Sequence, residues 1–253
     1  EELSSLKKFG EYDLVIDFQG LIKTAIVAKL IKSKKIIGFD SRSIREKLAS
    51  YFYDETVNIG YDQNSILRNT KLASKALDIN ISIDDVFSKD ITLFTESNLN
   101  LPKKPYVVFV IGSTWESRKY PKDKFVKVAN EIKKKCIVIW GNEKEKNCAN
   151  WISSKSKYVE VVPKLELDDL KRLIGNSSLL IGNDTGPTHM SWALNIPSIV
   201  LFGPTPVERM FQTKTNKAIK SSSKINHFKL NKNDFSIKEI SVKEIVKIAN
   251  QLL

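Results

Sequence analysis

Short apolar runs alternate with segments of helical periodicity along most of the chain. Residues 12–18 (YDLVIDF) predict a buried strand. Gln19-Gly20 predicts a turn, and residues 21–31 predict a helix that is apolar on nearly every side. A second short strand is expected over 35–39, then a helix over 42–53 carrying Arg45, Leu48, Ala49 and Phe52. Asp62 or Asn64 suits the cap of a longer helix whose Ile66, Thr70, Ala73 and Leu77 share one face. Residues 92–105 are polar, rich in turn formers and end in prolines, as a linker between domains does. The expected division is therefore 1–100 and 101–253.

The second half alternates more regularly. Strands are predicted over 106–111, 136–140 and 159–162, each followed by a polar turn. Phe125, Val128, Ala129 and Ile132 mark one helix, and another begins near Glu143. Leu167, Leu170, Leu173 and Ile174 mark a third, closed by Gly175. The chain ends in a helix from Ser241, with Ser241 and Glu244 at capping-box spacing and Val242, Ile245, Val246, Ala249 and Leu252 as its stripe. Such alternation defines an α/β protein with parallel sheets.

Residues 177–209 organise this half. Leu179, Leu180 and Ile181 predict a strand ending at Gly182, and Asn183 to Gly186 a polar turn. Pro187 suits a first helical turn, where no amide donor is needed. Residues 198–202 form the next strand, completing a βαβ unit. Its loops fall at strand carboxyl ends, where open α/β sheets bind ligands. Free amides at the helix start, from Thr185 and Gly186, favour a phosphate. Asp184 either caps the helix or orients a neighbour, and His189 is either a surface histidine or faces the same crevice.

Composition narrows the picture. The 253 residues are 42% hydrophobic, enough for two modest cores, and no apolar run approaches the length of a membrane span. Cys136 and Cys148 have neither metal-ligand nor disulfide spacing; Cys136 opens an apolar strand, and a reduced compartment follows. The net charge of +12 comes from lysines scattered along helix faces, without the compact basic run and interleaved aromatics of a nucleic-acid site. No Asp-x-Asp motif or His/Cys cluster suggests a metal.

Asp184-Thr185-Gly186-Pro187-Thr188-His189, followed by Ala193-Leu194, Pro197 and the Leu201-Phe202-Gly203-Pro204-Thr205 turn, resembles the signature of the family 9 glycosyltransferases, the ADP-heptose:lipopolysaccharide heptosyltransferases. Residues 12–54 are most similar to the members that transfer the first heptose. The resemblance implies the B-type glycosyltransferase fold of two Rossmann-like domains, the N-terminal one incomplete here, with a last helix able to cross back to it. It implies transfer of L-glycero-D-manno-heptose from ADP-heptose to Kdo of Kdo2–lipid A, with inversion and no cofactor. It also implies a location peripheral to the cytoplasmic face of the inner membrane.

Site roles follow from the same resemblance. Ser113, Thr114 and Arg118 match the donor-phosphate loop, Arg118 standing where a lysine is usual and Lys119 serving as the fallback. Glu145, preferred to Glu143, matches the ribose-binding carboxylate, and Leu165 matches the residue against adenine. Asp184, Thr185, Gly186 and His189 complete the donor site, with Asp184 and His189 supporting catalysis. Lys23, Arg45 and Arg68 are the acceptor cations; Asn64 stands where relatives carry a histidine. The family's aspartate base is expected on a strand and loop ahead of Tyr12, so neither Asp17 nor Asp40 is assigned that role. The alternatives are a later heptosyltransferase of the family or a non-catalytic nucleotide-sugar-binding protein.

Overall fold

The computed structural model describes residues 10–253, and the chain divides into two compact units, Glu1–Ser88 and Lys89–Leu253. In the first unit the described residues form a parallel sheet in the order β1 (Val15–Asp17), β2 (Ile36–Phe39), β3 (Glu55–Val57). Helix α1 (Ile22–Leu30) returns the chain from β1 to β2 and buries Ala25 and Ala28, while Ile26 and Leu30 stay exposed. Asp17 holds the turn into α1. Its carboxylate accepts from the amides of Gln19 and Gly20, from Thr24 Oγ1 at 2.7 Å and from the Tyr53 hydroxyl at 2.8 Å. Burial and this contact with Asp17 push the Tyr53 pKa up.

The helix expected over 42–53 is only a 3-10 turn, Lys47–Phe52. Groups that a helix would use are already bonded: Ser43 donates through its hydroxyl to Asp40, and its carbonyl accepts from Arg68 at 2.6 Å. Asn64 caps helix α2 (Ser65–Leu77), accepting from Ile66 N at 2.9 Å. A short helix α3 (Ile83–Phe87), capped by Ser82, has no counterpart in the apolar pattern.

Arg68, expected as an acceptor cation, is instead buried at 7% exposure. Its guanidinium donates to the carbonyls of Ser43, Ile59 and Gly60 and lies 4.6 Å from the Phe39 ring centroid. It tucks two loops onto α2. Lys23 and Arg45 are exposed.

In the second unit the described strands form one parallel sheet, ordered β6 (Val159–Val161), β5 (Lys135–Ile139), β4 (Tyr106–Val110), β7 (Leu179–Asn183), β8 (Ser198–Phe202), β9 (Asn216–Lys220). The chain winds one way from β4 to β6 and then the other from β7 to β9, so a topological switch point lies between β4 and β7. Strand β7 runs through Gly182 because only glycine fits there: an added Cβ would lie 2.5 Å from Val110 Cβ. Helices α4 (Lys122–Ile132), α5 (Glu143–Ser154), α6 (Leu167–Gly175), α7 (Gly186–Ala193) and α8 (Val242–Leu252) flank the sheet. Alternate β4 residues enter two cores: Val107 and Phe109 join Phe125, Ile152 and Ile245, while Tyr106, Val108 and Val110 join Leu173, Ile174 and Leu194. Cys136 lies wholly buried in the first of these, its thiol pKa pushed up to about 12, and both cysteines are free.

The division falls at 88/89 rather than 100/101 because residues 92–101 are strapped to the second unit. Thr92 N donates to Ala193 O, Glu96 N to Asp168 and Arg172 Nε to Leu99 O, and Leu93, Leu99 and Leu101 pack on the core containing Leu173. Ser241 begins α8 without a side-chain cap, so no capping box forms. The stripe of α8 is spent within this unit, where Ile245 and Ala249 are fully buried and Val242, Val246 and Leu252 pack beside them. Gly175 is the last residue of α6 and takes no left-handed conformation.

Replacing Arg68 by Leu leaves the buried Ser43 carbonyl and the part-buried Ile59 and Gly60 carbonyls without their donor and is expected to cost about 3 kcal/mol. A lower urea midpoint by circular dichroism checks this, whereas a cation serving only a solvent-side ligand would leave the midpoint within about 0.5 kcal/mol.

Candidate functional site

The carboxyl ends of β4, β5, β6 and β7 open onto one cleft of about 290 Å³. Gly112, Ser113 and Thr114 follow β4; Trp140, Gly141 and Glu145 follow β5; Leu165 follows β6; Thr185 and Pro187 follow β7. One part is apolar, formed by Val110, Ile139, Leu165, Leu170 and Trp140. The Trp140 indole N–H donates to Val162 O at 2.8 Å, tying the exit of β5 to that of β6.

Glu145 occupies the polar part. Asn142 caps α5 through Glu145 N, and Glu145 Oε2 accepts from Gly141 N at 2.8 Å. A Cβ on Gly112 would lie 2.4 Å from Glu145 Oε1, so glycine lets this carboxylate reach the exit of β4. Glu143 is exposed, pairs with Lys146 and does not line the cleft.

Beside Thr185 lies Asp184, 3% exposed. Thr185, not Asp184, is the N-cap of α7 and makes no side-chain cap bond; Asp184 orients its neighbours. Its Oδ1 meets His189 Nε2 at 2.8 Å, and its Oδ2 accepts from Arg118 Nη2 at 2.8 Å and from Thr205 Oγ1 at 2.9 Å. Arg118 Nη2 also donates to the Asp184 carbonyl. Arg209 Nη1 stands 4.0 Å from Oδ2. Burial alone would raise the Asp184 pKa, but the His189 bond, the charges of Arg118 and His189 and the Thr205 bond together hold it below the usual carboxylate range. Asn183 locks the neighbouring loop: its Oδ1 accepts from Tyr120 N and its Nδ2 donates to Ile111 O at 2.7 Å.

Ser113 Oγ, Ser117 Oγ and Arg118 Nε are buried without a hydrogen-bond partner. Buried polar atoms are rarely left so, and three on one loop point to a polar ligand that this loop completes. Gly186 borders open space at the start of α7, where an added Cβ would meet nothing within 4 Å.

Of the donor residues expected from sequence, Ser113, Thr114, Glu145, Leu165 and Thr185 share the cleft, and Arg118, Asp184 and His189 form a connected cluster at its Thr185 wall. Lys119 lies outside both, paired with Glu116 at 2.5 Å. Trp140, Leu170, Asn183, Thr205 and Arg209 also stand at this cleft or its Asp184 cluster and are not among the residues expected from sequence. Trp140 and Asn183 each stand at a strand's carboxyl end, which was the available signal. Among the described residues no three His, Cys, Asp or Glu side chains group as a metal site.

A cleft at the switch point of a parallel sheet, walled by the loops after consecutive strands, defines a ligand-binding α/β protein of the Rossmann-like class. Residues 5–239 match glycosyltransferase family 9 (heptosyltransferase), and the chain belongs to that family. It is 36% identical over 264 residues to lipopolysaccharide heptosyltransferase 1 of Campylobacter coli, covering 96% of this chain and 77% of that protein. It is 30% identical over 200 residues to lipopolysaccharide heptosyltransferase 1 of Pseudomonas aeruginosa, covering 77% of this chain and 55% of that one. The E. coli heptosyltransferase WaaC with ADP shares the fold, with a TM-score of 0.77 at 22% identity over 99% of this chain and 78% of that chain. WaaC with ADP-2-deoxy-2-fluoro heptose aligns with a TM-score of 0.73 at 24% identity, over 96% and 76%.

Asp184→Asn leaves Arg118 buried without a counter-ion and should cost about 3 kcal/mol near neutral pH. Because the Asp184 pKa is lowered on folding, its contribution is present above the ordinary value of 3.8 and is lost as pH falls through the folded-state value. The stability gap between wild type and variant should therefore close in acid, as paired urea melts at descending pH would record.

Proposed function

We propose that this chain transfers L-glycero-D-manno-heptose from ADP-heptose to the Kdo of Kdo2–lipid A, with inversion, in assembly of the lipopolysaccharide inner core. The observation that carries this reading is the convergence of four strand-end loops on one cleft, apolar in one part and rich in donors in the other. The names of the relatives and the ADP-heptose analogue held by the structural neighbour support it.

Each part of the donor has a chemically matched wall. Adenine packs against Leu165 and Leu170 beside Trp140, and Glu145 accepts from the ribose hydroxyls. The diphosphate meets the Thr185 and Gly186 amides and the Ser113 and Thr114 hydroxyls, with Arg118 adding charge. Negative charge that builds on the departing ADP is offset by these fixed donors, without a cofactor. Asp184 holds His189 and Arg118 in place around the reacting end. Lys23 and Arg45 are the cations that suit Kdo carboxylates and lipid A phosphates.

Among the described residues no helix is long and apolar enough to cross a membrane. The proposed place of action is the cytoplasmic face of the inner membrane, where the lipid acceptor is presented.

The test is incubation with ADP-heptose and Kdo2–lipid A, reading by mass spectrometry the gain of one heptose, beside calorimetric titration with ADP. His189→Ala should slow transfer about 10- to 100-fold with an unchanged circular dichroism spectrum. Undiminished turnover in that variant would remove His189 from the site, and a wild type that neither binds ADP nor extends the acceptor would sink the functional reading.

A further inference from the structure

The loop after β8 reaches the Asp184 cluster at two points. Thr205 donates to Asp184 Oδ2, and four residues later Arg209 brings Nη1 to within 4.0 Å of the same oxygen. The backbone that carries Arg209 is anchored: Met210 and Phe211 are buried, and the Phe211 ring meets Trp192 edge-on at 6.0 Å. The Arg209 side chain, by contrast, remains 43% exposed. It stands on a fixed support and is the more accessible of the two guanidinium side chains near Asp184.

Arg118 is placed differently. Its side chain is 12% exposed, and Nη2 is committed to both the carboxylate and the carbonyl of Asp184. The Asp184 carboxylate is in turn filled by Arg118, Thr205 and His189. At 4.0 Å, Arg209 lies beyond hydrogen-bond reach of it. A guanidinium has five donors in a fork suited to phosphate, so other protein contacts still leave donors for a ligand. Two permanent cations thus flank one carboxylate beside the open start of α7, an arrangement that a further anion completes.

We propose that Arg209 is a second phosphate-binding guanidinium of this site and contacts the terminal phosphate of a bound nucleoside diphosphate. This rests on the reading of the cleft as a nucleoside-diphosphate site. Base and ribose occupy the walls formed by Leu165 and Glu145, so the phosphate farthest from the ribose is the one that comes to the Asp184 cluster. There Arg118 stabilises the loop, and Arg209 supplies the accessible charge to the leaving group.

Calorimetric titration of wild type, Arg209→Gln and Arg209→Lys with ADP, AMP and adenosine tests this. Arg209→Gln should weaken ADP about tenfold while leaving AMP and adenosine unchanged, and Arg209→Lys should recover part of the loss. Unchanged ADP affinity in Arg209→Gln overturns the proposal. Equal weakening of all three ligands also overturns it, since that marks a loop-supporting residue rather than a phosphate contact. If wild type binds ADP no better than adenosine, the diphosphate reading fails and the role of Arg209 fails with it.

Discussion

The buried carboxylate of Asp184 ties its own loop and the start of α7 to two loops that the chain supplies far from it. Arg118 comes from the loop after β4, His189 from the first turns of α7, and Thr205 from the loop after β8. A carboxylate this buried is tolerable only when paired and hydrogen-bonded on both oxygens, which these three groups accomplish. Removing any one leaves the others facing a charge that water does not reach. The same requirement fixes the relative positions of the loops, so the geometry of this wall of the cleft is set by the protein's own contacts.

The rest of the site depends on that alignment. Asn183 precedes Asp184 and pins the chain after β4 through Ile111 O and Tyr120 N. Gly182 precedes Asn183 and allows β7 to lie close against Val110. Three successive residues therefore set backbone approach, loop register and charge. On the other side of β4, Glu145 crosses over Gly112, and Trp140 binds the exit of β6 to that of β5. The unpartnered Ser113, Ser117 and Arg118 atoms mark where the protein alone does not complete its own hydrogen bonding.

Much of the second unit was legible in its residues because parallel strands are buried on both faces and read as unbroken apolar runs. Residues 198–202 show this directly: strand β8 covers Ser198–Phe202. The four apolar positions expected on one helix, Phe125, Val128, Ala129 and Ile132, are all buried on α4. Placement at strand carboxyl ends marked the loops that carry Ser113, Thr114, Glu145 and Thr185, since those ends meet at one edge of an open sheet, while the choice of Ser113, Thr114 and Glu145 within them came from the family resemblance. Strand β9 and helix α3 escaped because lysine-rich and polar sequence hides short elements whose burial comes from long-range packing.

What the chain order alone determined was alternation: apolar period, turn chemistry and the succession of strand and helix are local properties, and they suffice for the α/β class and for the edge where a ligand binds. What tertiary structure decided was the use of each charge. Arg68 and Arg45 are the same residue type in adjoining segments, yet Arg68 is spent on three carbonyls and Arg45 is exposed. Asp184 stood open between capping a helix and orienting a neighbour until Arg118 and Thr205 closed on it. Arg209 had no local mark at all. A charged side chain carries no period, and its role depends on which partners the folded chain brings within a few ångströms, a distance that sequence separation does not encode.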